Sequence, residues 1–206
     1  AVQRVDVTNS LIGDDDVLDK ILGADAEKIR RTLDEIDRKS FETAVDKIVS
    51  AKSIYIIGVR SSSTLAGFLN FNLRMILDNV KFVQTTSGSE MFEQIMNIGP
   101  DDVLIAISFP RYSKRIINAV EYASSTGADV ISITDSGQSP IAAGADQLLL
   151  ARSDMVSFVD SLVAPLSIIN AVIVAVARKK PDEVRERLEK LEHIWDEYDV
   201  YDKTQS

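Results

Sequence analysis

Five short apolar runs rich in β-branched residues alternate with longer stretches of helical spacing, and this pattern limits the possible folds more than any other feature of the chain. The runs are Ser53 to Ile57, Val80 to Val83, Val103 to Ile107, Val130 to Ile133 and Gln147 to Leu150. A run that is apolar on both faces predicts a strand covered on both sides, as in a parallel sheet. Separations of mostly 20 or so residues leave room for a helix in each crossover. The expected fold class is therefore α/β, a doubly wound three-layer αβα sandwich with a five-stranded parallel sheet.

Extra helices flank this pattern. Ile29, Leu33 and Ile36, then Phe41, Ala44, Val45 and Ile48, recur at helical spacing and predict two charged amphipathic helices, with Ser40 as the N-cap between them. Thr8-Asn9-Ser10 and Gly13 read as a loose leader. After the fifth run a long apolar helix is expected from about Phe158 to Ala177, with Arg178-Lys179-Lys180 at its negative end. Pro181 opens a final helix, striped by Val184, Leu188, Leu191 and Trp195. The expected organisation is a leader or linker over 1–16, connecting helices over 17–51, the main domain over 52–196, and a polar tail over 197–206.

Composition removes several function classes. With no Cys there is no disulfide framework, thiolate metal site or Cys nucleophile, and the sole His is His193. No metal site is expected. The N-terminus carries no apolar signal segment, and the most apolar stretch, Met155 to Ala177, is broken by Asp160, Pro165 and Asn170, so a cytoplasmic protein without a membrane span is expected. The net charge of -9 opposes direct contact with a nucleic-acid backbone.

In an open parallel sheet the ligand lies beyond the carboxyl ends of the strands. The first such loop reads Gly58-Val59-Arg60-Ser61-Ser62-Ser63-Thr64, where helix-start N–H groups, hydroxyls and a guanidinium suit a phosphate; an N-cap followed by chance serines is the alternative. The third run ends in Ser108-Phe109-Pro110-Arg111-Tyr112-Ser113-Lys114-Arg115. Residues 51–177 hold eight Lys or Arg, and four of these (Arg60, Arg111, Lys114, Arg115) lie in those two loops. Half the positive charge of an acidic core is thus placed where an anion would bind, although Lys114 and Arg115 also fit a solvated first helical turn. Ser87 and Glu90 fit a capping box. Thr134 to Pro140 is a turn-rich segment near the same edge.

The run Ile54 to Thr64, the Ser108 to Ser113 loop and the Thr134 to Pro140 turn resemble the SIS (sugar isomerase) domain, a phosphosugar-binding α/β fold. The charged N-terminal helices, the serine-rich first loop and the Phe-Pro-Arg-Tyr-Ser sequence of the Ser108 to Ser113 loop most resemble the C-terminal effector domain of RpiR/MurR-type transcriptional regulators, over roughly Val17 to Trp195. The resemblance implies that Ser61 and Ser62, with Ser63 as a weaker candidate, cup a phosphate, and that Ser108 and Ser113 contact it from the other loop. Pro110 and Arg111 replace the family's usual Ser and Gly there, which makes Arg111 a charge-assisted donor. Arg60 likewise stands where many relatives have Gly.

What the resemblance implies is a sugar-phosphate sensor with no cofactor and no catalytic residues, forming a homo-oligomer (dimer or tetramer). DNA would be reached only through a helix-turn-helix domain missing from this chain, which starts with Ala and has nothing before Val17 to supply one. The alternative is an aldose-ketose isomerase of the same family. Asp160 falls near the position of the isomerase base but is one methylene shorter than Glu, and His193, between Leu191 and Trp195, suits packing better than proton transfer.

Overall fold

The computed structural model describes residues 17–84, 86–153 and 160–200. The leader motifs, Phe158 and the end of the tail lie outside them. Five strands form: β1 (Ile54–Gly58), β2 (Val80–Val83), β3 (Val103–Ile107), β4 (Asp129–Thr134) and β5 (Gln147–Leu150). All pairings are parallel, in the order β2-β1-β3-β4-β5. Every residue of β1 and β3 is buried, as strands without a polar face require.

Seven helices are described: α1 (Val17–Glu35), α2 (Arg38–Ser50), α3 (Ser61–Ile76), α4 (Gly88–Ile95), α5 (Lys114–Ser125), α6 (Val163–Lys179) and α7 (Pro181–Glu197). One core lies between the sheet and α2, α3 and α6, built around Ile48, Ile54, Ile56, Leu69, Leu73 and Ile169. The other packs α4 and α5 on the opposite face through Met91, Ile95, Ile116 and Val120. The chain therefore winds outward from β1 in one direction and from β3 in the other. The order reverses between these two strands, which opens a crevice at their carboxyl ends.

Several sequence expectations need correction. Asp37, not Ser40, caps α2, its carboxylate accepting from the N–H groups of Lys39 and Ser40. Ser40 instead serves the edge of the sheet. Its Oγ accepts from the N–H of Leu148 at 3.1 Å and donates to Gln147 Oε1 at 3.0 Å, occupying β5 backbone that no further strand pairs. The apolar helix α6 begins at Val163 rather than near Phe158, because Pro165 is acceptable in a first turn but would break a helix interior.

Helix α1 is rotated by about one residue, roughly 100°, relative to its sequence pattern. Its buried residues are Lys28 and Thr32, while Ile29 is 38% and Leu33 57% exposed. Polar contacts fix this face. Thr32 Oγ1 accepts from Arg152 N at 3.0 Å, and the Arg152 guanidinium grips the Glu35 carboxylate with bonds of 2.7 and 2.6 Å. That hydrogen-bonded pair, despite some desolvation, holds the Glu35 carboxyl below its usual range. In α7 the expected stripe is in place, with Val184, Leu188, Leu191 and Trp195 half-buried, while His193 is exposed rather than packed. No described helix is long and apolar enough to cross a membrane.

Candidate functional site

The β1–α3 and β3–α5 loops meet where the strand order reverses. Together they line a small polar cleft that includes Ser61 and Ser62 from the first loop, and Ser108, Arg111 and Ser113 from the second. Five of the six residues expected from the sequence thus converge. Ser62 and Ser108 are buried at 5% and 4% exposure, so their positions are fixed by packing. Ser113 caps α5, its Oγ accepting from the Arg115 N–H at 3.3 Å, which leaves the hydroxyl hydrogen available to an anion. The starts of α3 and α5 both face the cleft, adding two positive helix ends.

Ser63 departs from the expectation. It donates its hydroxyl to the carbonyl of Arg60 at 2.6 Å and lies in a neighbouring cleft with Thr86, Glu90 and Arg115. Arg60 lines both clefts, Lys114 is exposed and lines neither, and no residue of the Thr134 to Pro140 turn lines the serine cleft. The Ser87 and Glu90 capping box forms at α4.

Close approach of backbone to backbone sets the shape of the first loop. A Cβ on Gly58 would sit 2.4 Å from the carbonyl oxygen of Ser62 and 2.8 Å from its carbonyl carbon, so only glycine lets α3 start this close to β1. Two arginines adopt backbone conformations that favour glycine, Arg60 at φ 56° and Arg111 at φ 72°. Both stand where the family resemblance places Gly. A non-glycine residue held there costs about 1–3 kcal/mol, and such residues concentrate at ligand sites. Arg60→Gly is therefore expected to raise the thermal midpoint by about 2–4 °C, as about 1 kcal/mol does for a chain of this size, while weakening anion binding. Calorimetric unfolding with and without a sugar phosphate checks both signs.

Asp160 completes the cleft. Its Oδ2 accepts from Arg111 Nη2 at 3.3 Å, its side chain 11% exposed against 61% for Arg111. Sequence alone marks Asp160 only as a possible base, because a pairing with an arginine 49 residues away leaves no local signal. Beside the cleft, Tyr112 donates its hydroxyl to Asp135 Oδ1 at 2.8 Å, pinning the second loop to the β4 turn. Desolvation, together with the Asp135 carboxylate, pushes the Tyr112 phenol up to about 12. A raised folded-state value stabilises the fold below pH about 10 and is lost as pH rises towards about 12. Ultraviolet titration should show a late-ionising phenol that Tyr112→Phe removes.

Comparison with known proteins agrees with this geometry. An uncharacterised HTH-type transcriptional regulator of Caldanaerobacter subterraneus is 27% identical over 206 residues, covering 94% of this chain and 71% of its own length. Against four other HTH-type regulators the chain spans 43–65% of their length. The sugar isomerase domain of an RpiR transcription factor from Sphaerobacter thermophilus superposes with a TM-score of 0.82 at 25% identity, covering 86% of this chain and 99% of that one. The NanR protein of Vibrio vulnificus complexed with ManNAc-6P shares the fold, with a TM-score of 0.76 at 20% identity over 92% of this chain and 71% of that one. The SIS domain model matches residues 47–175, well over half of the sequence, from α2 through β5 into α6. Sheet order, crevice and match converge: the chain belongs to the SIS domain family.

Proposed function

We propose that this chain is the phosphosugar-sensing effector domain of an RpiR-type transcriptional regulator, with DNA contacted by a domain outside the sequence. The observation that carries the reading is the convergence of Ser61, Ser62, Ser108, Arg111 and Ser113 on one cleft at the β1/β3 reversal. Hydroxyls, helix-start N–H groups and a guanidinium form a donor-rich pocket suited to a phosphate dianion. The regulators among its relatives and the ManNAc-6P complex of a protein with this fold support it. The net charge of -9 fits a domain that leaves DNA contact to another part of the protein.

The domain works in the cytoplasm as a homo-oligomer, a dimer or tetramer. Leu18 and Leu22 on α1, Phe71 on α3 and Val174 on α6 are 70%, 59%, 65% and 58% exposed, on helices that all lie on one side of the sheet. Exposed apolar side chains gathered on that side of the sheet support an interface there.

The test is thermal shift with hexose, pentose and amino-sugar phosphates. A stabilisation that grows with ligand concentration is expected for one of them, and none from the matching unphosphorylated sugars. A flat response across the panel overturns the reading. One observation favours a second reading, a phosphosugar isomerase: Asp160 places a carboxylate in the cleft. Turnover of any panel member that Asp160→Asn abolishes would establish that reading instead.

A further inference from the structure

Arg111 reaches Asp160 across the cleft, and the residue next to Asp160 reaches α1. Ser161 donates its Oγ to Asp25 Oδ1 at 2.6 Å, and Asp25 accepts from Lys28 Nζ at 3.1 Å, with side chains only 17% and 8% exposed. Burial alone would push the Asp25 carboxyl up, but the Ser161 hydroxyl and the Lys28 ammonium outweigh it and hold the group below its ordinary value. The bond from Ser161 is therefore to a charged carboxylate, the stronger kind. Further along α1, Thr32 and Glu35 are held independently by Arg152.

On the reading of the cleft as a phosphate site, we propose that Asp160 and Ser161 transmit its occupancy to α1. A phosphate dianion competes for the Arg111 guanidinium and repels the Asp160 carboxylate beside it. Asp160 and Ser161 share a peptide bond, so displacing one disturbs the other, and the Ser161–Asp25 bond loosens. The middle of α1 is released while its carboxyl end stays clamped by Arg152. Helix α1 joins the sandwich to everything that precedes it in the chain, so this converts ligand binding into a change at the N-terminal connection. The Arg111–Asp160 pair acts as an autoinhibitory contact: the phosphate must outcompete it, and differential affinity for the two arrangements is what a coupled site requires.

Hydrogen–deuterium exchange of the full chain, with inorganic phosphate at a concentration that saturates its thermal shift and with matched chloride as control, tests this. Phosphate is expected to speed exchange of the amides around Asp25 by about fivefold or more, leaving those around Glu35 unchanged. Ser161→Ala should exchange quickly there without phosphate, show no further change with it, and bind phosphate more tightly by the same factor, because coupling is reciprocal. A side chain that merely props up the helix would not tighten phosphate binding. Should Ser161→Ala fail to fold, Asp160→Asn carries the comparison: with no carboxylate to compete for Arg111 or to be repelled, phosphate is expected to bind it more tightly and to leave exchange in α1 unchanged. A wild-type chain that phosphate does not stabilise overturns both this proposal and the phosphate site. Stabilisation without an exchange change in α1, or a response retained in the variants, overturns the coupling alone.

Discussion

Gly58→Ala is expected to cost the fold about 3 kcal/mol or more and to abolish sugar-phosphate binding in whatever fraction stays folded. The added methyl would lie 2.4 Å from the Ser62 carbonyl oxygen and 3.0 Å from the Ala66 Cβ. Neither is the end of a flexible side chain. Helix α3 must retreat from β1, and overpacking a close-packed core by one such group costs about 1–3 kcal/mol, occasionally more. Here the displaced atoms are backbone, at the strand end that carries Ser61 and Ser62 into the cleft, so stability and binding fall together. Urea unfolding and ligand thermal shift measure both. Gly137→Ala is the control, because a Cβ there meets nothing closer than 3.8 Å. Equal stability of the two variants would show that the α3 start is not pinned as described.

Arg111→Gly separates binding from stability. Glycine accepts the φ of 72°, so the backbone of the second loop is retained while the guanidinium is removed. A hydrogen bond to a charged group contributes about 1.5–3 kcal/mol, so sugar-phosphate affinity should fall about 10–100-fold. Competition from Asp160 for the same guanidinium offsets part of that, which puts the expectation at the lower end. The salt dependence of binding should weaken as well, because one charge contact is lost. Lys114→Ala, altering an exposed side chain outside the cleft, should change affinity less than about twofold. Isothermal titration at two ionic strengths reads all of these, and identical affinities for the two variants would remove Arg111 from the site.

The strands are readable from sequence because they are apolar on both faces, a pattern that needs no knowledge of neighbours. All five expected runs match observed strands to within one residue. Most of the cleft is readable for a related reason: loops at the carboxyl ends of parallel strands must gather at one edge, so hydroxyls and bases in two of them become neighbours. Contacts between distant residues are not readable. The inward face of α1 is decided by Arg152 and Ser161, more than 100 residues away, which outweigh its apolar periodicity. Ser40 has the local pattern of a cap, but its partners on β5 lie 107 and 108 positions along the chain. Ser63 continues the serine run of Ser61 and Ser62, yet successive helical residues point about 100° apart, and its direction leads back to the Arg60 carbonyl.

The attachment of α1 has a thermodynamic consequence of its own. Hydrophobic docking carries a large heat-capacity change and strengthens on mild warming, whereas this helix is fastened in good part by a carboxylate–guanidinium pair and two hydroxyl hydrogen bonds. Its release should therefore carry a smaller heat-capacity change than unfolding of the sandwich, and the part of it borne by the solvent-facing Arg152–Glu35 pair should follow ionic strength. The sandwich beneath, held by two apolar cores, responds to temperature instead, so salt acts on the clamp at the carboxyl end of α1 while the more buried Ser161–Asp25 contact is screened far less.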